Sequence, residues 1–242
     1  MRALLLAALL ATTAACTAGA QGNGDAAART TRAFQVGAFD KINLTGSPDV
    51  VVAVGGQPSV RAEGEAADLE RLEIAVVDGE LRISMRPGSS WHWGSHQGIT
   101  VHVTVPSLQA AAIRGSGDIN IDHVQAPAFA ATVDGSGDLD VRQLRVAGNA
   151  SFNLTGSGGI RAGGGAARTN ASLNGSGDLS LAGFETADAT VSLVGSGDVA
   201  LRATGTAAVQ LTGSGGVTIA GGARCTVAKS GSGDVDCGGT SG

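Results

Sequence analysis

The chain contains no tyrosine, and Phe and Trp together make up only 3% of its 242 residues. Charged residues account for 15% and prolines for 5 positions, whereas hydrophobic residues reach 43%. The low charge and high hydrophobic content exclude a disordered chain. The 39 glycines are not collagen-like, because proline is scarce and no three-residue period exists. A core with so few aromatics must be built from Val, Leu, Ile and Ala.

The formal net charge is −5, and no basic stripe is present. We therefore expect no nucleic-acid partner. Beyond the N-terminus no run of 18 apolar residues occurs, so no transmembrane helix is expected. The glycine-rich stretches lack the Lys-Ser/Thr pair and the following helix that phosphate-binding loops need, so no cofactor is predicted.

Residues 1–20 have the pattern of a secretory signal peptide, with one basic residue, an apolar run and then small residues. Cleavage after Ala20 is one prediction. The other is a lipoprotein-type signal with lipidation at Cys16, although Thr13 stands where such signals usually carry Leu. Residues 21–35 are predicted to be a flexible tether.

This N-terminus predicts an exported protein of the outer membrane or periplasm, or one displayed at the cell surface. Its expected contact with a membrane is the lipid anchor alone. The cysteine count favours that anchor, because Cys225 and Cys237 can pair with each other and leave Cys16 without a disulfide partner.

A four-residue repeat dominates the second half of the chain. It reads GSGD at Gly115, Gly135, Gly175, Gly195 and Gly231, and GSGG at Gly156 and Gly213. The spacings are 20, 21, 19, 20, 18 and 18 residues, which suits one coil of a β-solenoid.

Apolar residues surround each repeat with period two. Around Gly135 they are Ala131 and Val133 before the turn and Leu139 and Val141 after it. This alternation is typical of two strands, each with one buried face, joined by a sharp corner. The fold prediction is therefore all-β, a right-handed parallel β-helix over residues 36–242, with coils of about 20 residues and corners within 115–237.

The N-terminal part of this domain departs from the repeat. Residues 42–54 are a degenerate copy of the repeat unit, and the next corner follows 69 residues after Gly46. The insertion predicts a short helix in "EAADLERLEI" and a hairpin between "GELRISMR" and "GITVHVTVP". Trp91, His92 and Trp93 at its tip are a candidate binding patch, or pack on the end of the solenoid. A zinc site at His92 and His96 lacks support, because their loop is not helical.

Cys225 lies six residues before Gly231 and Cys237 six after it, both at inward positions. A disulfide that closes the last coil is the favoured prediction, because export permits oxidation. Free thiols and a metal site are the alternatives.

The aspartate that ends most repeats has two interpretations. As a turn residue, the aspartate accepts backbone N–H bonds. Two repeats carry Gly159 and Gly216 in its place, so a corner can form without the aspartate. If the aspartates of successive coils stack in a column, they could instead hold calcium ions. Known calcium-binding repeats, however, have a period of about nine residues. No metal site is predicted. The column consists of Asp49, Asp118, Asp138, Asp178, Asp198 and Asp234.

The order "VHVTVPSLQAAAIRGSGDINI", followed by repeated GSGD corners, resembles the head GIN domain family of putative auto-transporter adhesins over residues 36–242. The resemblance implies an exported bacterial β-helix without an established catalytic activity. The predicted function is a non-enzymatic, adhesin-like or scaffolding protein that binds an unknown protein or glycan of the envelope or cell surface.

The alternative is a polysaccharide lyase or glycoside hydrolase on a β-helix. Glycoside hydrolysis needs two carboxylates at a defined separation. Asp118, Asp138 and Asp140 could mimic such a set, but every coil offers a similar one. Regular repetition favours a structural role, so no catalytic residue is predicted.

Overall fold

The computed structural model describes residues 29–86 and 98–238, and the elements of this part form a single continuous sheet. One helix, α1 (Ala66–Arg71), interrupts the strands. The strands are β1 (Arg29–Phe34), β2 (Lys41–Gly46), β3 (Asp49–Val54), β4 (Ser59–Glu65), β5 (Leu72–Val77), β6 (Glu80–Met85), β7 (Thr100–Val105), β8 (Ala110–Gly115), β9 (Ile119–Ala126), β10 (Phe129–Gly135), β11 (Asp138–Gly156), β12 (Gly159–Gly175), β13 (Asp178–Gly195), β14 (Asp198–Gly213), β15 (Gly216–Ala220), β16 (Arg224–Ser230) and β17 (Asp234–Cys237).

The repeat units stack as parallel coils. Val133 lies between Ile113 of the preceding coil and Leu154 of the following one, and Gly135 lies between Gly115 and Gly156. Each corner is therefore in register with its copies. The predicted parallel β-solenoid is confirmed, with about six turns. Its right-handedness stays a prediction.

The inward positions predicted from the period-two pattern form the core. In the column two residues before the corners, all members from Ile113 to Leu211 are 1% exposed or less. Their residue types are Val, Leu and Ile, as the shortage of aromatics requires. Phe152 and Phe184 are fully buried and meet edge to face, with ring centroids 5.4 Å apart.

The segments that return the chain to the next coil belong to the long strands. β11 to β14 run from one corner to the next with register shifts on the way, as between Val141 and Leu144. Such bulges bend a strand locally, so one strand can turn around the coil.

The order of coils in space differs from their order in the chain. β2 lies between β6 and β8, and β3 lies between β7 and β9. The unit β2–β3 is thus the second coil, and β6 with β7 forms the outermost one. The predicted hairpin between β6 and β7 is wrong, because each pairs in parallel with the β2–β3 coil. Alternation in these segments identifies strands but not their partners.

Antiparallel strands cover this end of the solenoid. β5 pairs with β6, β4 pairs with β7, and β1 pairs with β4. The predicted short helix is present as α1, whose Leu69 is buried. These elements satisfy edges that would otherwise be open to another chain.

β1 also corrects the predicted tether. Residues 29–34 lie in this strand, with Arg29 opposite Glu65 and Phe34 opposite Val60, so they are not a free linker. The edge of β4 provides backbone partners, and the β-branched Thr30 and Thr31 suit a strand. The signal peptide and the remaining tether up to residue 28 lie outside the described residues.

At the other end, the last coil has neighbours on one side only within the described chain. β16 pairs with β14, and β17 pairs with β15. The predicted disulfide between Cys225 and Cys237 is confirmed. Lys229 takes the inward position opposite Leu211 and donates to the carbonyl oxygen of Gly233 at 2.8 Å. No described helix has the length and apolar character needed to cross a membrane.

Candidate functional site

The corners are built by their glycines. The first glycine of each repeat has a positive φ, from 117° at Gly231 to 142° at Gly135 and Gly175. A Cβ at Gly195 would collide with the carbonyl oxygen of Gly175 in the preceding coil, and one at Gly197 with that of Gly177. The serine between the two glycines is exposed, as at Ser196. Backbone stacking therefore requires both glycines.

The aspartates form a hydrogen-bonded ladder along the solenoid. The Asp118 carboxylate accepts the N–H of Asp138 at 2.8 Å, and that of Asp178 accepts the N–H of Asp198 at 3.3 Å. The predicted bonding to backbone N–H groups is confirmed for Asp49, Asp118, Asp178 and Asp198, but the donor comes from the next coil rather than the same corner. Among the described residues, no group of three or more His, Cys, Asp or Glu could hold a metal ion.

Two glycines interrupt this ladder. Gly159 lies between Asp138 and Asp178, and Gly216 lies between Asp198 and Asp234. The Asp198 carboxylate accepts the N–H of Gly216 at 2.8 Å. The N–H of Gly159 instead donates to the carbonyl oxygen of Gly137 at 3.3 Å. Within the described chain, the Asp138 carboxylate therefore accepts no hydrogen bond.

A cavity of about 210 Å³ lies at the first of these interruptions. We call it the Gly159 notch. Its lining includes the polar residues Asp138, Asp140, Ser157, Arg161, Asp178 and Ser180, together with Leu139, Gly158, Gly159 and Ile160. Arg161 reaches Asp140 at 3.5 Å, with its side chain 70% exposed.

A second feature lies across the corner, on the strands that precede it. Over residues 151–155, 170–174, 190–194, 208–212 and 226–230, the outward positions of β11 to β14 and of β16 carry no charged residue. We call this the uncharged face; it consists of Ser151, Asn153, Thr155, Asn170, Ser172, Asn174, Thr190, Ser192, Val194, Ala208, Gln210, Thr212, Thr226, Ala228 and Ser230. Neighbouring strands place these side chains about 4.8 Å apart in columns.

The comparison with protein families decides the identity of this fold. The family described as "putative auto-transporter adhesin, head GIN domain" matches residues 38–223, which is more than half of the chain. The chain belongs to the head GIN domain family. The resemblance stated from the GSGD corners is thereby confirmed.

Solved structures of similar fold include two putative adhesins. A putative adhesin from Bacteroides fragilis has a TM-score of 0.80 at 19% identity, covering 86% of this chain and 96% of its own. A putative adhesin from Parabacteroides merdae has a TM-score of 0.69 at 16% identity, covering 89% and 97%.

A putative lipid-binding protein from Parabacteroides distasonis has a TM-score of 0.67 at 21% identity, covering 89% and 97%. At these identities the likeness shows the fold alone. No functionally curated protein matches the sequence.

Of the site residues predicted from the sequence of this GIN domain, the structure describes only the two C-terminal cysteines. Cys225 and Cys237 form the structural disulfide. The candidate patch Trp91, His92 and Trp93 lies outside the described residues, as does Cys16, so both stay predictions. The notch was missed, although its signal is present in the sequence as a glycine that breaks the aspartate column.

Proposed function

We propose that this GIN domain is a non-enzymatic, exported envelope protein that binds a protein or glycan of the envelope or cell surface through the uncharged face. The family description and the adhesin neighbours support an adhesin-like role. The observation that carries the proposal is the uncharged face itself, most of whose side chains over five stacked strands are hydroxyls or amides.

The chemistry of this face suits a neutral, extended partner. Hydroxyl and amide side chains offer donors and acceptors without the desolvation cost of buried charges. Few of these groups are satisfied internally; one is the Nδ2 of Asn153, which donates to the Oγ of Ser151 at 3.3 Å. Repetition in columns would let many weak contacts act together, as in multivalent binding.

The test places charge in the middle of the uncharged face. Ser172 and Ser192 are opposite each other on β12 and β13, so the pair Ser172→Lys and Ser192→Glu adds no net charge and allows a cross-strand ion pair. The matched control is Ala200→Lys with Thr218→Glu, which are opposite each other on β14 and β15, on the other side of the corner.

The measurement is binding of the purified, labelled protein to intact bacterial cells, to envelope fractions and to a glycan array. We expect the wild type and the control pair to bind alike and the Ser172/Ser192 pair to lose at least tenfold in affinity. Equal binding by all three proteins would place adhesion elsewhere, and a wild type that binds none of these targets would refute the proposed function.

The polysaccharide-cleaving alternative is tested separately. Asp118, Asp178 and Asp198 already accept backbone N–H bonds, which favours a structural use of the column. We expect no new reducing ends and no unsaturated sugar products when the protein is incubated with acidic and neutral polysaccharides. Product formation that is lost in Asp138→Asn would overturn the non-enzymatic proposal.

A further inference from the structure

We infer that the Gly159 notch binds the hydroxyl groups of a single sugar residue. This inference goes beyond the proposed function, because the notch faces outward on the strands after the corners and the uncharged face lies on the strands before them. It concerns a separate, small binding site.

The notch exists because one coil lacks a side chain that its neighbours carry. Asp138 and Asp178 occupy the same column one coil before and one coil after Gly159. The register continues two residues further on, where Arg161 lies between Asp140 and Ser180. The missing side chain thus opens a space between two carboxylates, with a guanidinium beside it.

The groups around this space can both accept and donate. The Asp138 carboxylate accepts nothing within the described chain, so its oxygens are available to a ligand hydroxyl. The guanidinium of Arg161 is a donor only, and the Ser180 hydroxyl can act in either sense. Hydrogen bonds to charged groups such as these are stronger than neutral ones. A sugar ring, with several adjacent hydroxyls, uses both kinds of partner.

The size and the mixed charge of the cavity limit the ligand. Pockets for drug-sized molecules usually enclose about 300–1,000 Å³, and the notch encloses about 210 Å³. One sugar unit of a longer glycan fits this scale. Arg161 separates Asp140 from Ser180 in its column, so the site is not a purely acidic cluster that would select a bare cation.

The chain provides its own control at the second interruption of the ladder. Gly216 occupies the same column as Gly159, but its N–H is already bonded to the Asp198 carboxylate at 2.8 Å. Two residues further on, that coil carries Thr218 rather than an arginine. Gly216 therefore shares the missing side chain but not the guanidinium, and the carboxylate of the coil before it is already bonded.

The test compares Gly159→Asn with Gly216→Asn. Neither glycine has a positive φ, and the atom that a new Cβ would approach most closely is a movable carboxylate oxygen, at 2.8 Å in each case. Asparagine fills the position without adding charge, and circular dichroism of both variants checks the fold. Saturation-transfer NMR of the whole protein with glucose, galactose, mannose and N-acetylglucosamine measures binding.

We expect millimolar binding of at least one of these sugars by the wild type and by Gly216→Asn. We expect a loss of at least tenfold in Gly159→Asn and in Arg161→Gln. Equal sugar binding in all four proteins would overturn the inference, as would the absence of any sugar signal in the wild type. Either result leaves the cell-binding test of the uncharged face unaffected, so the two proposals can fail independently.

Discussion

Cys225 and Cys237 join the two strands of the last coil, with their Cα atoms 6.5 Å apart. Cys225 lies opposite Ala207 and Cys237 opposite Ile219, so the bond lies at inward positions and secures β16 against β17. A disulfide that closes a loop of this length stabilises by about 3 kcal/mol. We expect the double variant Cys225→Ser, Cys237→Ser to lose up to that amount.

The loss should be confined to the last coil, because among the described strands β16 pairs only with β14 and β17 only with β15. Hydrogen exchange is the measurement, and the amides of β16 and β17 should lose protection while those of β10 to β12 keep theirs. A reducing agent should produce the same pattern in the wild type and no change in the variant. Uniform loss of protection along the solenoid would contradict this prediction.

The corner glycines are expected to be intolerant of any side chain. Gly195 has a φ of +132°, and its added Cβ would meet the backbone of Gly175. Gly195→Ala should destabilise by more than about 1 kcal/mol, because both the backbone conformation and the close approach are lost. Urea unfolding measures the change. Ser196→Ala, one residue away and exposed, is the control and should change stability by less than about 0.5 kcal/mol.

The aspartate ladder should depend on an acceptor oxygen rather than on negative charge. Asp118→Ala removes the acceptor of the Asp138 N–H and should cost about 0.5–1.5 kcal/mol. Asp118→Asn keeps an acceptor oxygen and should be at least as stable as the wild type, since it also removes repulsion along the column. Thermal unfolding with and without calcium measures both variants. A calcium-dependent rise in Tm that Asp118→Asn abolishes would instead support the calcium ladder.

A buried hydroxyl inside the solenoid provides a stabilising prediction. Thr169 is 1% exposed, and its Oγ1 has no hydrogen-bond partner. The residues opposite it are Ala150 and Ala189, so its column is otherwise apolar. Thr169→Val should raise the free energy of unfolding by about 1–3 kcal/mol, because the unpartnered polar group disappears and the shape is kept. Thr169→Ser keeps the hydroxyl and should not stabilise.

The regular part of the fold could be predicted from the sequence, because each repeat has the same pattern of buried positions as well as the same four-residue motif. Val133 and Leu139 flank the Gly135 corner at the inward positions that alternation assigns, and parallel stacking follows from identical coils. The order of the N-terminal coils could not be predicted. Alternation in β6 and β7 is local, whereas their pairing with β2 and β3 is decided by which edges are open.

The Gly159 notch required the register of stacked coils. In the sequence, Gly159 shows only that the aspartate is dispensable to a corner. The neighbours that give the position chemical character, Asp138 and Asp178, are 21 and 19 residues away along the chain. Arg161 becomes relevant only when its column is known, because its partner Asp140 belongs to the preceding coil.

Within the described chain the outer edge of β16 and β17 is unpaired, and Lys229 is expected to keep this edge from pairing with another molecule. It occupies the inward column in which Leu193 and Leu211 precede it, and Val227 beside it is 45% exposed. A charge at an inward position of an edge strand is one way in which proteins block edge-to-edge association. Lys229→Leu should therefore extend the apolar column to the free edge and cause concentration-dependent self-association, measured by sedimentation velocity.

The matched variant is Lys229→Gln, which removes the charge but keeps a polar group at the edge. It should stay in the same association state as the wild type, because burying an unpartnered amide against a second molecule is costly. Association of both variants would assign the block to charge alone. If neither variant associated, the disulfide and the corner would be sufficient to protect this edge, and the role given to Lys229 would be wrong.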